Sequence, residues 1–103
     1  QSVYTRSTSV YNGLGQVITE SYYDESGMLE SVTEYEYNNA VKYGEGSLYN
    51  QKISTVKDNS GKVISKTAVY TDANGTNIIT ESVMDNNIYR YCQVFCANSE
   101  IAI

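Results

Sequence analysis

Read along the chain, short runs rich in Val, Ile, Thr and Tyr alternate with polar interruptions, and the interruptions share one chemistry. An Asn or Asp is followed at a fixed offset by Gly in Asn12-Gly13-Leu14-Gly15, Asp24-Glu25-Ser26-Gly27, Asp58-Asn59-Ser60-Gly61 and Asp72-Ala73-Asn74-Gly75. A shorter variant, Asp85-Asn86-Asn87, follows. An Asp or Asn opening such a stretch accepts hydrogen bonds from the backbone ahead of it. The Gly then adopts the left-handed conformation that closes a type I turn with a bulge, a common hairpin loop. Asp24, Gly27, Asp58, Gly61, Asp72 and Gly75 are therefore assigned to turns, with a further loop expected near Asn38-Asn39 or in Tyr43-Gly44-Glu45-Gly46.

Turn signals at this spacing predict successive antiparallel strands. Seven are expected, over residues 2–11, 16–24, 28–38, 48–57, 62–71, 76–84 and 88–95. Period-two alternation supports several of them. In the third, Glu30, Glu34 and Glu36 point one way and Leu29, Thr33, Tyr35 and Tyr37 the other. In the sixth, Glu81 lies with Ile79 and Val83, opposite Ile78, Thr80 and Met84. The fold expected is all-β, an antiparallel meander of about seven strands joined by D-x-x-G hairpin turns in a curved sheet. Residues 1–103 are expected to form a single all-β domain. Because a single layer of half-polar strands buries little, the sheet must curl, be covered by a loop, or pair with a second copy.

Composition agrees with strands and removes several function classes. Val, Ile and Thr contribute 27 residues and Tyr 11, against 10 for Leu, Ala and Met together, a bias that favours a pleated sheet over helices. With no His, imidazole acid–base chemistry, Ser-His-Asp or Cys-His catalysis and His-ligated zinc are excluded. A net charge of −5 with only 7 Lys and Arg argues against a nucleic-acid partner. No apolar run approaches the roughly 20 residues of a membrane-spanning helix. The chain opens at Gln1 with no Met. The expectation is an exported protein whose leader has been removed.

The segment Tyr23-Asp24-Glu25-Ser26-Gly27-Met28-Leu29, running on to Thr33-Glu34-Tyr35-Glu36-Tyr37, resembles a bacterial YD repeat of the rearrangement-hot-spot type. Tyr11-Asn12-Gly13-Leu14-Gly15-Gln16-Val17-Ile18 and Tyr70-Thr71-Asp72-Ala73-Asn74-Gly75 are looser copies. The chain is also similar to small exported Bacteroides-type proteins with YD-like hairpins, and more distantly to MORN-type hairpin repeats. The resemblance implies a bacterial protein, secreted, periplasmic or in the cell envelope, made of β-structure with no catalytic residues. It departs from the family's pattern in that a basic residue after the Gly occurs once, as Lys62, and the repeat period is irregular.

Candidate chemistry is sparse. Glu30, Glu34 and Glu36 share a strand face at spacings a glycosidase could use, but carboxylates on an outer strand face are usually solvated. Asp72, Asn74 and Thr76 resemble the start of a calcium loop that lacks its terminal Glu, position twelve being Val83; the turn accounts for them without calcium. Asn74-Gly75-Thr76 is a glycosylation sequon already explained by the same turn. Cys92 and Cys96 are either buried thiols or a local staple, which requires a tight turn at residues 93–95. No catalytic residue, metal site or cofactor is assigned.

The tyrosines carry the functional expectation, since Tyr offers an apolar ring and a hydroxyl at low entropic cost. Tyr22, Tyr35, Tyr37, Tyr43 and Tyr49 are the candidate ligand- or partner-binding residues, with cross-strand packing as the alternative for each. Adjacent Tyr22 and Tyr23 must face opposite sides, one of them exposed. The reading is a non-enzymatic interaction or structural module that binds a protein or glycan, with homo-oligomerisation by strand pairing a further expectation. The alternative is a carbohydrate-binding module using exposed tyrosines.

Overall fold

The computed structural model describes residues 6–43 and 48–92. Its seven strands are β1 (Arg6–Tyr11), β2 (Val17–Tyr23), β3 (Leu29–Lys42), β4 (Leu48–Asp58), β5 (Val63–Thr71), β6 (Asn77–Met84) and β7 (Asn87–Cys92). They form one antiparallel sheet in sequence order, β1-β2-β3-β4-β5-β6-β7, not closed into a barrel. Among the described residues there is no helix. The Cα envelope measures 48 × 33 × 18 Å. The shortest dimension is too deep for a flat single layer, so the sheet is twisted and curved.

Four hairpins are built alike, for a reason local to each. In every one the side-chain oxygen of the leading Asn or Asp accepts two backbone N–H bonds. Asp24 Oδ1 takes Ser26 N and Met28 N, both at 2.9 Å. Asp58 takes Ser60 N at 2.9 Å and Lys62 N at 3.0 Å, and Asp72 takes Asn74 N and Thr76 N at 2.9 Å. Asn12 does the same for Leu14 and Gln16. Gly27, Gly61 and Gly75 sit at φ of 86°, 89° and 81°, a region costly for any residue with a Cβ. The hydroxyls of Ser26 and Ser60 donate to the same oxygens at 2.7 Å, and chiefly for that reason the carboxyls of Asp24 and Asp58 lie below the ordinary Asp value.

Each of these hairpins also carries a bulge three residues past its Gly. The pairing Tyr11↔Val17 then Val10↔Thr19 skips Ile18, and Tyr23↔Leu29 then Tyr22↔Ser31 skips Glu30. Ile64 and Ile78 are skipped in the same way in the later two hairpins. Each extra residue, on β2, β3, β5 and β6, bends its strand locally and adds twist.

The other two connections differ. β6 and β7 turn through two residues, Asp85 (φ 51°) and Asn86 (φ 66°), with Met84 opposite Asn87. Two positive φ angles identify a type I′ hairpin, whose twist matches the flanking strands. β3 is longer than the expected 28–38 and runs on to Lys42. Asn38-Asn39 is therefore not the loop. Instead, Asn38↔Gln51 is followed by Val41↔Tyr49, so the chain bulges at Asn39-Ala40, with Ala40 at φ 55°. The connection lies between Lys42 and Leu48, and residues 44–47 fall outside the described part, as do residues 1–5 and 93–103.

Register divides the sheet into two faces. On one, Ile53, Ala68, Glu81 and Arg90 lie in line across β4 to β7, beside the row Gln51, Tyr70, Ile79, Cys92. Tyr43, Ala68, Tyr70 and Ile79 are buried there, and Val41, Tyr49, Ile53, Ile78 and Cys92 pack against them. Ile78 and Ile79 both join this cluster although neighbours in a regular strand point apart; the bulge at Ile78 is what lets both do so.

Candidate functional site

The five candidate tyrosines separate onto the two faces. Tyr22, Tyr35 and Tyr37 share the face opposite the core cluster, because Tyr22 pairs with Ser31 on β2 and β3 and residues 31, 33, 35 and 37 alternate outward together. Their hydroxyls are committed. Tyr35 donates to Glu20 Oε1 at 2.7 Å and Tyr22 donates to the same oxygen at 3.0 Å, while Tyr37 donates to the Val17 carbonyl at 2.6 Å. Lys52, on β4, places its Nζ 4.8 Å from the Tyr35 ring centre and 5.8 Å from that of Tyr37.

Electrostatics follow from these contacts. The Tyr35 hydroxyl, then that of Tyr22, holds the Glu20 carboxyl below its ordinary value by stabilising the charged form. Loss of water raises the Tyr35 hydroxyl, helped by the adjacent Glu20, and raises that of Tyr37. Two phenols thus share one carboxylate, Glu20, and a third is held by the Val17 carbonyl.

Tyr43 and Tyr49 belong to the core face. Tyr43 is 8 % exposed, its ring centre 5.0 Å from that of Tyr70 in an edge-to-face contact, and Tyr49 meets Tyr70 at 6.5 Å. The Tyr43 hydroxyl donates to Glu81 Oε2 at 2.6 Å. Burial, then that bond, pushes the hydroxyl up to about 12. Tyr43 thus takes the packing alternative rather than offering a ring to a ligand. Tyr22 and Tyr23 are both half-buried, not one of them exposed; Tyr23 lies under the Arg6 guanidinium at 4.3 Å. Among the described residues the exposed tyrosines are ones the pattern did not single out: Tyr11 on β1, and Tyr89 and Tyr91 on β7.

Glu81 was also missed. Its side chain is 0 % exposed, paired with Arg90 at 3.2 Å and bonded by Tyr43. The signal was present in the hairpin arithmetic. A two-residue turn at residues 85 and 86 places residue 81 opposite residue 90. Of the strand carboxylates weighed for catalysis, Glu34 is in an ion pair with Lys57 at 2.9 Å and Glu36 accepts from Asn38 at 2.9 Å. Among the described residues no group of three or more His, Cys, Asp or Glu is placed to hold a metal ion. Cys92 is disulfide-bonded; Cys96 and the turn at 93–95 lie outside the described residues.

Two open grooves mark the sheet. One, of about 430 Å³, lies between the β4–β5 and β6–β7 turns and includes Lys62, Lys66, Val83 and Asp85. The other, of about 440 Å³, crosses β3 to β6 at the opposite end and is lined mainly by carboxamides around Tyr37 and Lys52. No helix among the described residues is long and apolar enough to cross a membrane. Comparison with protein-family models, curated proteins and solved structures found no match to this chain.

Proposed function

We propose that this chain is a non-enzymatic interaction module of the bacterial exterior or cell envelope, to which a partner strand adds at an open sheet edge. The observation that carries this is the edge itself. Among the described residues β1 and β7 each have one hydrogen-bonded neighbour, and all six residues of β1 are exposed. No Pro interrupts the outward ladder. An unpaired ladder of this kind is a template for another strand. The disulfide at Cys92 supports an oxidising compartment. The non-enzymatic reading is supported by the commitment of Glu20, Glu34 and Glu81 to structural partners and by the lack of His. The resemblance to YD-repeat hairpins points the same way.

A second copy is the most direct probe. Sedimentation velocity at tens of micromolar is expected to show concentration-dependent association that Thr8→Lys on β1 or Tyr89→Lys on β7 weakens, since a Lys on an edge opposes pairing. A monomer throughout that range counts against self-association by the edges. Carbohydrate binding is the second reading, favoured by the carboxamide-lined groove beside Tyr37.

A further inference from the structure

We infer that the groove crossing β3 to β6 beside Tyr37 is a binding site for a neutral oligosaccharide, an assignment that rests on the carbohydrate reading and locates it. Six of its ten lining residues carry carboxamides; those of Asn38 and Gln51 bond each other and face Tyr70 on the other side and that of Gln16 is bonded by Asn12, which leaves exposed Asn39 on β3, Asn50 on β4 and Asn77 on β6 to meet a ligand. The chain holds 12 Asp and Glu, yet among the described residues none of them lines this groove. The one charge is Lys52, whose ammonium lies against Tyr35 and Tyr37.

That donor set selects a ligand chemistry. A carboxamide offers two N–H donors and a carbonyl acceptor, so an array of them matches hydroxyls, which both donate and accept. One cation is too little for a phosphate-rich ligand, which needs several. An extended peptide would seek free backbone groups, but the backbone here is already used in the ladders joining β3, β4 and β5. Recognition must come from side chains projecting off the face. Tyr37 is suited to this, because its hydroxyl is fixed on the Val17 carbonyl and its ring is held in place before any ligand arrives. Thr71 adds a hydroxyl and Val69 an apolar patch for a sugar's C–H face. The volume, about 440 Å³, falls within the 300–1,000 Å³ typical of small-ligand sites.

The test is an amide NMR titration of the labelled chain with hexasaccharides of β-1,4-linked glucose, α-1,4-linked glucose and β-1,4-linked mannose at millimolar concentration. At least one is expected to shift signals of Asn39, Asn50, Lys52 and Thr71. Asn50→Ala, on an exposed side chain, is expected to weaken that binding about five- to tenfold, the effect of one lost hydrogen bond. Asn59→Ala, in the turn at the far end of β4, is expected to leave it unchanged. Spectral dispersion of each unliganded variant checks that it folds. No shift with any of the three sugars overturns both this site and the carbohydrate reading. Shifts confined to Tyr11, Tyr89 and Tyr91 leave that reading standing and overturn the groove.

Discussion

Replacing Glu81 by Ala is expected to cost this small domain a large share of its stability. The Glu81 side chain is 0 % exposed and holds Arg90 at 3.2 Å and the Tyr43 hydroxyl at 2.6 Å. Removing one partner of a buried ion pair typically costs about 3–5 kcal/mol because the other charge stays buried without compensation. The Arg90 side chain keeps 20 % exposure and can turn partly to water, which places Glu81→Ala near the bottom of that range, about 3 kcal/mol. Arg90→Ala leaves the fully buried carboxylate bonded by Tyr43 but without its counter-charge, and is expected to cost more. Tyr43→Phe removes one bond to a charged acceptor, about 1.5–3 kcal/mol. A domain of this size has about 5–15 kcal/mol in total, so each effect is readable. Urea unfolding followed by far-ultraviolet circular dichroism measures them, provided the denaturant slope stays constant. The double variant Glu81→Met, Arg90→Met is expected to recover most of the loss, because two apolar side chains need no counter-charge. The reasoning is refuted if Glu81→Ala stays within about 0.5 kcal/mol of the parent, the range of an unimportant surface change, or if the two Met substitutions prove additive.

Alkaline titration tests the same triad from the other side. The folded state raises the Tyr43 hydroxyl from the ordinary 10.0 to about 12, so it favours the neutral phenol. The associated stability is present below pH 10 and is lost as pH climbs from there through about 12. Urea midpoints should fall across that window, and Tyr43→Phe should flatten the fall; equal slopes for both proteins would sink the idea. For the turns, Gly61→Ala and Gly75→Ala are each expected to cost about 1–2 kcal/mol through left-handed φ alone, because nothing lies within 4 Å of either added Cβ. Gly13→Ala meets the same open space without the positive φ and should be near neutral in thermal unfolding, so equal losses at all three positions would contradict the account.

The hairpins were legible because their chemistry is local. Asp58 finds Ser60 N and Lys62 N within four residues, and Gly61 supplies the conformation that closes the loop, whatever the rest of the chain does. The bulges were harder to see, although β-branched Ile18, Ile64 and Ile78 occupy three of the four skipped positions. Alternation correctly grouped Ile79, Glu81 and Val83 on one face. It could not say that this face is the buried one, because the decision lies with Tyr43, brought over Tyr70 by a strand longer than its polar Asn38-Asn39 pair indicated. The separation of the five tyrosines has the same origin. Tyr37 and Tyr43 are six residues apart, but the bulge at Asn39-Ala40 lies between them and changes the phase of the strand.

The two sides of this sheet are stabilised in different places, and that offset bears on where a ligand can be held. The apolar cluster occupies one face over β4 to β7, while the hydroxyl network around Glu20 occupies the other over β2 and β3. β4 joins them, placing Ile53 against the core and Lys52 against the tyrosine rings. On β5, Ala68 and Tyr70 are buried at 0 % and 1 %, and the intervening Val69 and the next residue Thr71 face the groove. Part of the groove's floor is therefore β5, whose other side is buried in the core, and one of its walls, Tyr37, is pinned to Val17. A binding site gains most from side chains whose positions are fixed by packing and bonding behind them. Among the described residues β1 and β7 each pair on one side only, so a strand added there would meet chiefly the repetitive geometry of the backbone ladder, whereas a ligand in the groove would meet side chains.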